Sequence, residues 1–168
     1  MQLKPLQEQV AVVVGASSGI GRETALRLAE RGAKVVAAAR GEAGLSSLVG
    51  EIAARGGEAT YAVCDVVDFE RVKAVAETAA QRFGRIDTWV NVAAVSVYAR
   101  FEDTAPEEFR RVMEVNYLGQ VHGALAALPH LRRAGGGALI AVSSVESIVS
   151  LPMKARAPIS VRCFITPS

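Results

Sequence analysis

Short apolar runs alternate with amphipathic stretches along most of this chain. Continuous apolar runs of about five residues are typical of strands that are covered on both faces of a sheet. Five such runs are predicted as strands, at 10–14, 34–39, 58–63, 86–92 and 137–142. Between them, apolar residues recur every three or four positions, which predicts helices. One runs from 20 to 31 before Gly32, and another lies between Asp68, a predicted N-cap, and Gly84.

Strand and helix follow one another five times, with short glycine-containing links. This order is typical of a parallel sheet between two layers of helices, because parallel neighbours need helical crossovers. We therefore predict a single α/β domain over residues 1–168. It would be a Rossmann-type, doubly wound parallel sheet with helices on both faces, in three layers. Thr104 and Glu107 match a capping box and predict a long helix that continues to Leu131.

The stretch from Leu151 to Ser168 breaks this rhythm. Residues 159–165 predict a sixth strand, but the segment before them contains Pro152 and Pro158 and no helical pattern. We therefore expect the C-terminal part of the fold to be incomplete. One face of the sheet would lack its covering helix, and the domain would be truncated after the sixth strand.

Composition narrows the function classes. The formal net charge of +2 is too small to indicate a nucleic-acid or membrane surface. No segment reaches the roughly 18 continuous apolar residues of a membrane span, and the N-terminus does not match a signal peptide. Cys64 and Cys163 lie in apolar runs without metal-binding spacing, so we predict free thiols and no metal site. A cytoplasmic location is expected.

The segment GASSGIG, from Gly15 to Gly21, joins the first strand to the first helix. We expect Gly15 to make a tight exit from the strand and Gly21 to let the helix pack closely against the sheet. Gly19 would let the backbone approach a diphosphate, which the helix N-terminus attracts. The alternative interpretation is an ordinary glycine-rich loop. The predicted nucleotide-binding residues of this turn are Gly15, Ser17, Ser18, Gly19, Ile20 and Gly21.

The same letters contain G-x-S-x-G, the nucleophile elbow of serine hydrolases, which would make Ser17 a nucleophile. Such an enzyme needs an acid and then a histidine later in the chain. The two histidines, His122 and His130, both fall inside the long predicted helix rather than on a late loop. The hydrolase therefore stays a remote alternative.

Arg40 directly follows the second predicted strand, where a dinucleotide-binding fold meets the adenosine ribose. An acidic residue there accepts from the ribose hydroxyls, whereas an arginine can pair with a 2′-phosphate. Ala39 and Arg40 occupy this strand end, which favours NADP over NAD. The alternative is a solvated arginine at a strand terminus.

Four further motifs follow the glycine turn in order: CDV at Cys64–Val66, NVAA at Asn91–Ala94, NYLG at Asn116–Gly119 and VSS at Val142–Ser144. From about Gln9 to Ser144, the chain resembles the short-chain dehydrogenase/reductase family. The resemblance implies that Asp65 accepts from the adenine amino group, with the Val66 backbone beside it. It implies that Asn91 and Ala93 lie beside the cofactor, with Asn91 bracing the fourth strand.

The same resemblance implies the catalytic residues. Asn116 would hold a water molecule in a proton relay, and Ser144 would hydrogen-bond the substrate oxygen. Each residue also has an ordinary structural interpretation, because polar side chains at strand ends and on buried helix faces need hydrogen-bond partners. For Asn116, a hydrogen bond to a neighbouring element would satisfy the amide equally well.

Two departures from the family pattern stand out. Ala94 replaces a glycine that the family commonly has beside the nicotinamide ribose. Ala157 and Val161 stand 13 and 17 residues after Ser144, where the family has its catalytic tyrosine and lysine. Since the tyrosine is the general acid/base, the chain as written would turn over poorly.

The expected function is therefore that of an NADP-dependent oxidoreductase that transfers hydride between NADP(H) and a small carbonyl or alcohol substrate. NAD is the less favoured cofactor. The alternative is a catalytically inactive nucleotide-binding module. The family resemblance also implies a homodimer or tetramer that assembles through the long helix. We expect no nucleic-acid or membrane partner.

Overall fold

The computed structural model describes residues 3–144 and the backbone of residues 164–166. Every predicted strand of residues 3–144 is present. The strands are β1 (Val10–Val14), β2 (Lys34–Ala39), β3 (Ala59–Val63), β4 (Thr88–Asn91), β5 (Gly137–Ala141) and β6 (Phe164–Thr166). The helices are α1 (Gly19–Glu30), α2 (Glu42–Ala54), α3 (Phe69–Phe83), α4 (Pro106–Met113) and α5 (Gly119–Arg133).

The sheet has the strand order β3-β2-β1-β4-β5-β6, and β1 to β5 are all parallel. Val12 of β1 lies opposite Val36 of β2 on one side and Trp89 of β4 on the other. Strands β2 and β3 thus lie on one side of β1, and β4 and β5 lie on its other side. The order of strands reverses between β3 and β4. A ligand crevice is expected at such a reversal point, beyond the carboxyl ends of the strands.

Two apolar cores cover the two faces of the sheet. All five residues of β1 are buried, and they alternate between the cores: Val12 and Val14 belong to one, Val13 to the other. The first core includes apolar side chains of α3 and α5, and the second includes apolar side chains of α1 and α2. The period-two alternation explains why a run without polar residues is nevertheless a strand. The predicted three-layer, doubly wound fold is confirmed.

The sixth strand differs from its prediction. β6 covers Phe164–Thr166 and pairs antiparallel with β5, with Leu139 opposite Phe164. Residues 159–163 of the predicted strand lie outside the described residues, as do Pro152, Pro158 and Cys163. An antiparallel partner needs no helical crossover, so it fits a segment that lacks a helical pattern.

The long predicted helix is also different in detail. The predicted capping box of Thr104 and Glu107 is wrong, because the Thr104 hydroxyl donates to the carbonyl of Arg100 at 2.9 Å. The helix begins at Pro106, and the carboxylate of Glu108 accepts from the backbone N–H of Ala105 at 2.9 Å. A π-helical segment, Glu114–Leu118, then separates α4 from α5.

The amino ends of β1 and β4 hold a closed polar cluster. The Asp87 side chain is 6% exposed and accepts from the backbone N–H of Val10 at 3.0 Å and from Arg85 Nη2 at 2.7 Å. Beside it, the Thr88 hydroxyl donates to Gln9 Oε1 at 2.7 Å. These bonds satisfy the buried polar groups of this end internally.

Candidate functional site

The turn between β1 and α1 has the geometry that its glycines predict. Gly15 has φ = +92°, and a Cβ on it would lie 2.7 Å from the backbone nitrogen of Ala93. A Cβ on Gly21 would collide with the carbonyl oxygen of Gly15. The first glycine therefore permits the tight exit from β1, and the last permits close packing of α1 against the end of the strand.

The N-terminus of α1 is open. Ser18 is its N-cap in an extended conformation, and no side chain caps the helix there. A Cβ built on Gly19 would have no atom within 4 Å. The first N–H groups of a helix have no partner inside the helix, and they carry its positive dipole end. This geometry suits an anion.

A cleft of about 750 Å³ opens at the carboxyl ends of the strands. Most of the predicted cofactor residues line it: Gly15, Ser17, Ser18, Ile20, Gly21, Arg40, Asp65, Val66 and Ala93. The other lining residues are Val14, Ala39, Gly41, Cys64, Val92, Ala94, Val95, Arg111 and Val115. The fold therefore brings the glycine turn and the ends of β2, β3 and β4 to one cavity. Gly19, Asn91, Asn116 and Ser144 are not among the lining residues.

Asp65 follows β3 and is held by two donors. Its Oδ1 accepts from the backbone N–H of Val67 at 3.2 Å, and its Oδ2 accepts from Arg111 Nη2 at 2.9 Å. Burial raises the pKa of Asp65, but these hydrogen bonds and the charges of Arg111 and Arg40 hold it below its ordinary value. Asp65 is therefore an acceptor-only carboxylate at neutral pH.

Arg111, on α4, is the charged lining residue that the sequence interpretation missed. Val115, four residues later in the π-helical segment that follows α4, also lines the cleft. That spacing was the available signal. It could not show that Arg111 faces Asp65, 46 residues earlier in the chain.

Arg40 contrasts with Arg111. It directly follows β2, is exposed, and makes no hydrogen bond or salt bridge within residues 3–144. Its charge reaches the cleft, because it contributes to the lowered pKa of Asp65. One arginine of the cleft is thus paired, and the other is available to a ligand.

Asn91 points away from the cleft. It is 3% exposed, accepts from Trp89 Nε1 at 3.3 Å, and its amide nitrogen lies 3.5 Å from the carbonyl oxygens of Gly119 and Gln120. A Cβ on Gly123 would collide with this amide, so the absence of a side chain there makes room for it. Asn91 therefore ties β4 to α5, and a contact with a cofactor stays a prediction.

Asn116 lies in the π-helical segment and binds the loop that follows β4. Its Oδ1 accepts from the backbone N–H of Val95 at 2.8 Å, and its Nδ2 donates to the Val95 carbonyl at 2.9 Å. Both bonds fix a residue that lines the cleft. π-helical insertions often occur at functional sites. The predicted water-holding role of Asn116 remains a prediction.

Ser144 is exposed and follows the carboxyl end of β5 by three residues. It therefore lies at the same edge of the sheet as the cleft. Ala157 and Val161, which replace the expected tyrosine and lysine, lie outside the described residues. The predicted contact of Ser144 with a substrate stays a prediction.

Two further reactive side chains of residues 3–144, Cys64 and His122, are buried or partly buried. Burial raises the pKa of the Cys64 thiol to about 11. His122 Nδ1 lies 2.8 Å from the carbonyl oxygen of Val66, and its ring packs against Phe69. Residues 3–144 contain no cluster of three or more potential metal ligands. In the same part of the chain, no helix combines the length and the apolar character that crossing a bilayer requires.

The family model described as "short chain dehydrogenase" matches residues 9–156, which is most of the chain. The chain belongs to the short-chain dehydrogenase family. The predicted family resemblance is therefore confirmed. Members of this family are oxidoreductases that bind NAD or NADP.

Relatives within the short-chain dehydrogenase family cover most of this chain. The uncharacterized oxidoreductase YxnA of Bacillus subtilis is 47% identical over 146 residues, which is 86% of this chain and 41% of the relative. An uncharacterized oxidoreductase of Methylorubrum extorquens, MexAM1_META1p0182, is 40% identical over 154 residues, covering 91% and 61% of the two chains. The chain thus spans about half the length of these relatives.

A solved structure supports the same family. The crystal structure of a 3-ketoacyl-ACP reductase from Sinorhizobium meliloti 1021 superposes with a TM-score of 0.79 and 34% sequence identity. The match covers 82% of this chain and 55% of that one. The short-chain dehydrogenase fold therefore holds over most of this chain.

The cleft fits the dinucleotide that the family binds. Diphosphate needs a backbone surface without side-chain bulk and unpaired N–H donors. The glycine turn and the uncapped α1 provide both. The volume of about 750 Å³ is in the range of ordinary ligand pockets.

Proposed function

We propose that this chain binds NADP(H) in the cleft and belongs to an enzyme that transfers hydride between NADP(H) and a small carbonyl or alcohol substrate. One observation carries the proposal: the uncapped N-terminus of α1 and the unpaired side chain of Arg40 face the same cleft. The helix end suits the diphosphate, and the arginine suits a second phosphate on the adenosine ribose.

The charges around the cleft favour the 2′-phosphate. Two arginines and one aspartate line it, and the aspartate is neutralised by Arg111. Ala39 occupies the last position of β2, where a carboxylate would accept from ribose hydroxyls and repel a 2′-phosphate. Arg40 is the next residue, and it can pair with two phosphate oxygens at once. NADP is therefore the proposed cofactor, and NAD should bind more weakly.

Bound NADPH would supply a hydride to the carbonyl carbon, leaving NADP⁺, and the carbonyl oxygen would take a proton from water. Ser144 would donate a hydrogen bond to that oxygen from the end of β5. Asn116 would hold the backbone of Val95, and with it the wall of the cleft after β4. Ala157 and Val161 supply neither a proton donor nor a cation, so this chain by itself should reduce carbonyls slowly. General acid/base catalysis alone contributes about 10²–10⁴-fold.

The inactive nucleotide-binding module is the second candidate, and Ala157 and Val161 are the observation that favours it. Both candidates predict cofactor binding and differ only in turnover. The hydrolase alternative is weak, because neither His122 nor His130 lines the cleft with Ser17.

The test of binding is a titration of the full chain with NADPH and NADH, followed by nucleotide fluorescence. We expect NADPH to bind more tightly than NADH. Arg40→Ser should weaken NADPH binding about 10- to 100-fold, because a charge-assisted hydrogen bond to phosphate is lost, and should leave NADH nearly unchanged. Arg31→Ser is the matched control, since Arg31 is exposed at the opposite end of α1. A wild-type chain that binds neither nucleotide would refute the proposal.

The test of turnover is NADPH oxidation with a panel of small aldehydes and ketones. Any reduction that depends on Ser144 supports the oxidoreductase, whereas binding without turnover supports the module. Esterase activity that Ser17→Ala abolishes, in a chain that does not bind NADPH, would instead revive the hydrolase.

We also propose self-association through the α4–α5 region. Four large apolar side chains are exposed there: Met113 (45%), Tyr117 (50%), Leu118 (41%) and Leu125 (53%). Apolar clusters of this kind often mark an interface. Light scattering of the purified chain should show a dimer or larger species that Leu125→Glu converts to monomer. A monomeric wild type at high concentration would contradict this.

A further inference from the structure

The two arginines of the cleft differ in their partners. Arg111 Nη2 is 2.9 Å from Asp65 Oδ2, and the two side chains are 35% and 31% exposed. Arg40 makes no hydrogen bond or salt bridge within residues 3–144. A guanidinium that is already paired is less available to a phosphate, so the two residues should have different tasks.

The partners of Asp65 fix the orientation of its carboxylate. The Val67 N–H holds Oδ1, and Arg111 holds Oδ2. A carboxylate has about four lone-pair sites, so each oxygen can accept one further hydrogen bond. Held in this way, the carboxylate presents its remaining lone pairs from a fixed position in the cleft.

The chemistry of the cleft indicates which ligand group would meet these lone pairs. An ionised carboxylate can accept but cannot donate, so it recognises an N–H or O–H donor. Asp65 lies between Cys64 and Val66 just after β3, and Arg40 directly follows the neighbouring strand β2. If Arg40 meets the 2′-phosphate, the adenine base lies at this side of the cleft, and its exocyclic amino group is the donor it offers.

An unpaired Asp65 would also work against the cofactor. NADP carries a diphosphate and a 2′-phosphate, and a free carboxylate in the same cleft would repel all of them. Arg111 removes this repulsion while it keeps the carboxylate in place. No other described residue forms a salt bridge with Asp65.

We propose that Arg111 is a positioning residue for base recognition: by holding Asp65, it makes the cleft select adenine. This inference rests on the proposed function. The contact between Asp65 and the adenine amino group is the one that the family resemblance implies, and the inference adds Arg111 as the residue that holds Asp65 for it.

The test compares NADPH with its hypoxanthine analogue, in which an oxo group replaces the adenine amino group. Affinities are measured by nucleotide fluorescence on the full chain. In the wild type, we expect NADPH to bind about tenfold more tightly than the analogue, because the oxo group cannot donate to Asp65. Arg111→Met should reduce this preference to about twofold or less, and Asp65→Asn should reduce it similarly.

Three comparisons separate positioning from general electrostatics. Arg111→Lys should recover part of the preference for adenine, because the charge remains but the geometry of the guanidinium is lost. Arg110→Met is the matched control on the same helix, where the side chain is exposed, and it should change nothing. Arg40→Ser should weaken NADPH and its analogue equally and leave the base preference intact.

The double variant Arg111→Met with Asp65→Asn should lose no more base preference than either single variant, since both act through one contact. Reduced nicotinamide mononucleotide, which has no adenosine, should bind equally to the wild type and to Arg111→Met. If Arg111→Met does not fold, as judged by circular dichroism, Arg111→Gln takes its place.

The outcomes separate this inference from the proposed function. A wild type that binds no nicotinamide nucleotide refutes both. A wild type that binds NADPH but does not distinguish it from the analogue refutes the inference alone, as does an Arg111→Met chain that keeps the full preference.

Discussion

At the amino ends of the strands, Asp87 accepts from the Val10 N–H and from Arg85, and its side chain is 6% exposed. At the carboxyl ends, Asp65 also has a backbone N–H and an arginine as partners, but its side chain is 31% exposed. The cavity beside Asp87 measures about 80 Å³, and the cleft beside Asp65 about 750 Å³. Two similar sets of partners thus lie in very different surroundings.

The difference shows how to distinguish a structural polar cluster from a ligand site in this fold. At the amino ends, every prominent polar group has an internal partner, so the cluster mainly stabilises the sheet. At the carboxyl ends, the N-terminus of α1 is uncapped and Arg40 is unpaired. Groups that the protein leaves without partners beside a large cavity are groups that a ligand can satisfy.

The largest expected effect is on Asp87. Asp87→Ala should lower the free energy of unfolding by about 2–4 kcal/mol, because a buried N–H and Arg85 both lose their acceptor. Asp65→Ala should lower it by less than about 1 kcal/mol, because the pair with Arg111 is partly solvated. Urea unfolding measures both. For NADPH binding, Asp65→Ala should have the larger effect and Asp87→Ala the smaller one. If the two variants lowered the free energy of unfolding equally, the distinction between the two ends of the sheet would be wrong.

Asn116 should give the next largest effect. Asn116→Ala removes two hydrogen bonds to Val95 and should lower the free energy of unfolding by about 1–2 kcal/mol. Hydrogen exchange should become faster in the loop after β4 and stay unchanged in β2. Asn116→Asp is the control, because it keeps the acceptor for the Val95 N–H and loses only the donor. Unchanged exchange in the loop would mean that the amide does not hold it.

Two glycines of α2 offer a smaller, matched comparison. A Cβ on Gly50 would have no atom within 4 Å, whereas a Cβ on Gly44 would lie 2.8 Å from the carbonyl oxygen of Ser17. Gly50→Ala should therefore raise the free energy of unfolding by about 0.5–1 kcal/mol, because alanine favours the helix. Gly44→Ala should displace the glycine turn and weaken NADPH binding. If Gly44→Ala binds as the wild type does, the turn does not depend on this close packing.

The smallest effect concerns the Cys64 thiol, whose pKa burial raises from 9.0 to about 11. The unfolded chain releases this proton at lower pH than the folded chain. The thiol's contribution to stability is therefore complete below pH 9.0 and is lost as the pH rises towards about 11. Between pH 9.0 and about 11, the free energy of unfolding measured in urea should fall less for Cys64→Ala than for the wild type. Identical pH profiles would show that the thiol is not shielded.

Much of the fold could be predicted from local pattern. The run of valines in β1 and the bounds of α3, from its N-cap Asp68 to Gly84, were both predicted, because burial periodicity and capping depend on neighbouring residues. The start of α4 was not. Thr104 and Glu107 have the letters of a capping box, but the chain caps the helix one residue later through Ala105 and Glu108. The two capping patterns are offset by one residue, so the packing of the helix decides which of them forms.

The site divides in the same way. The glycine turn and the position of Arg40 were visible in the sequence, because a turn needs particular residues at fixed spacing and a strand end is a local feature. The pair of Arg111 and Asp65 joins residues 46 positions apart, and the clamp of Asn116 on Val95 joins residues 21 apart. The orientation of Asn91 towards α5, 28 residues later, was equally hidden. Sequence alone determined the glycine turn that leads into α1, since that turn depends on the local backbone. The tertiary structure decided which side chains meet, because such contacts depend on how the helices pack on the sheet.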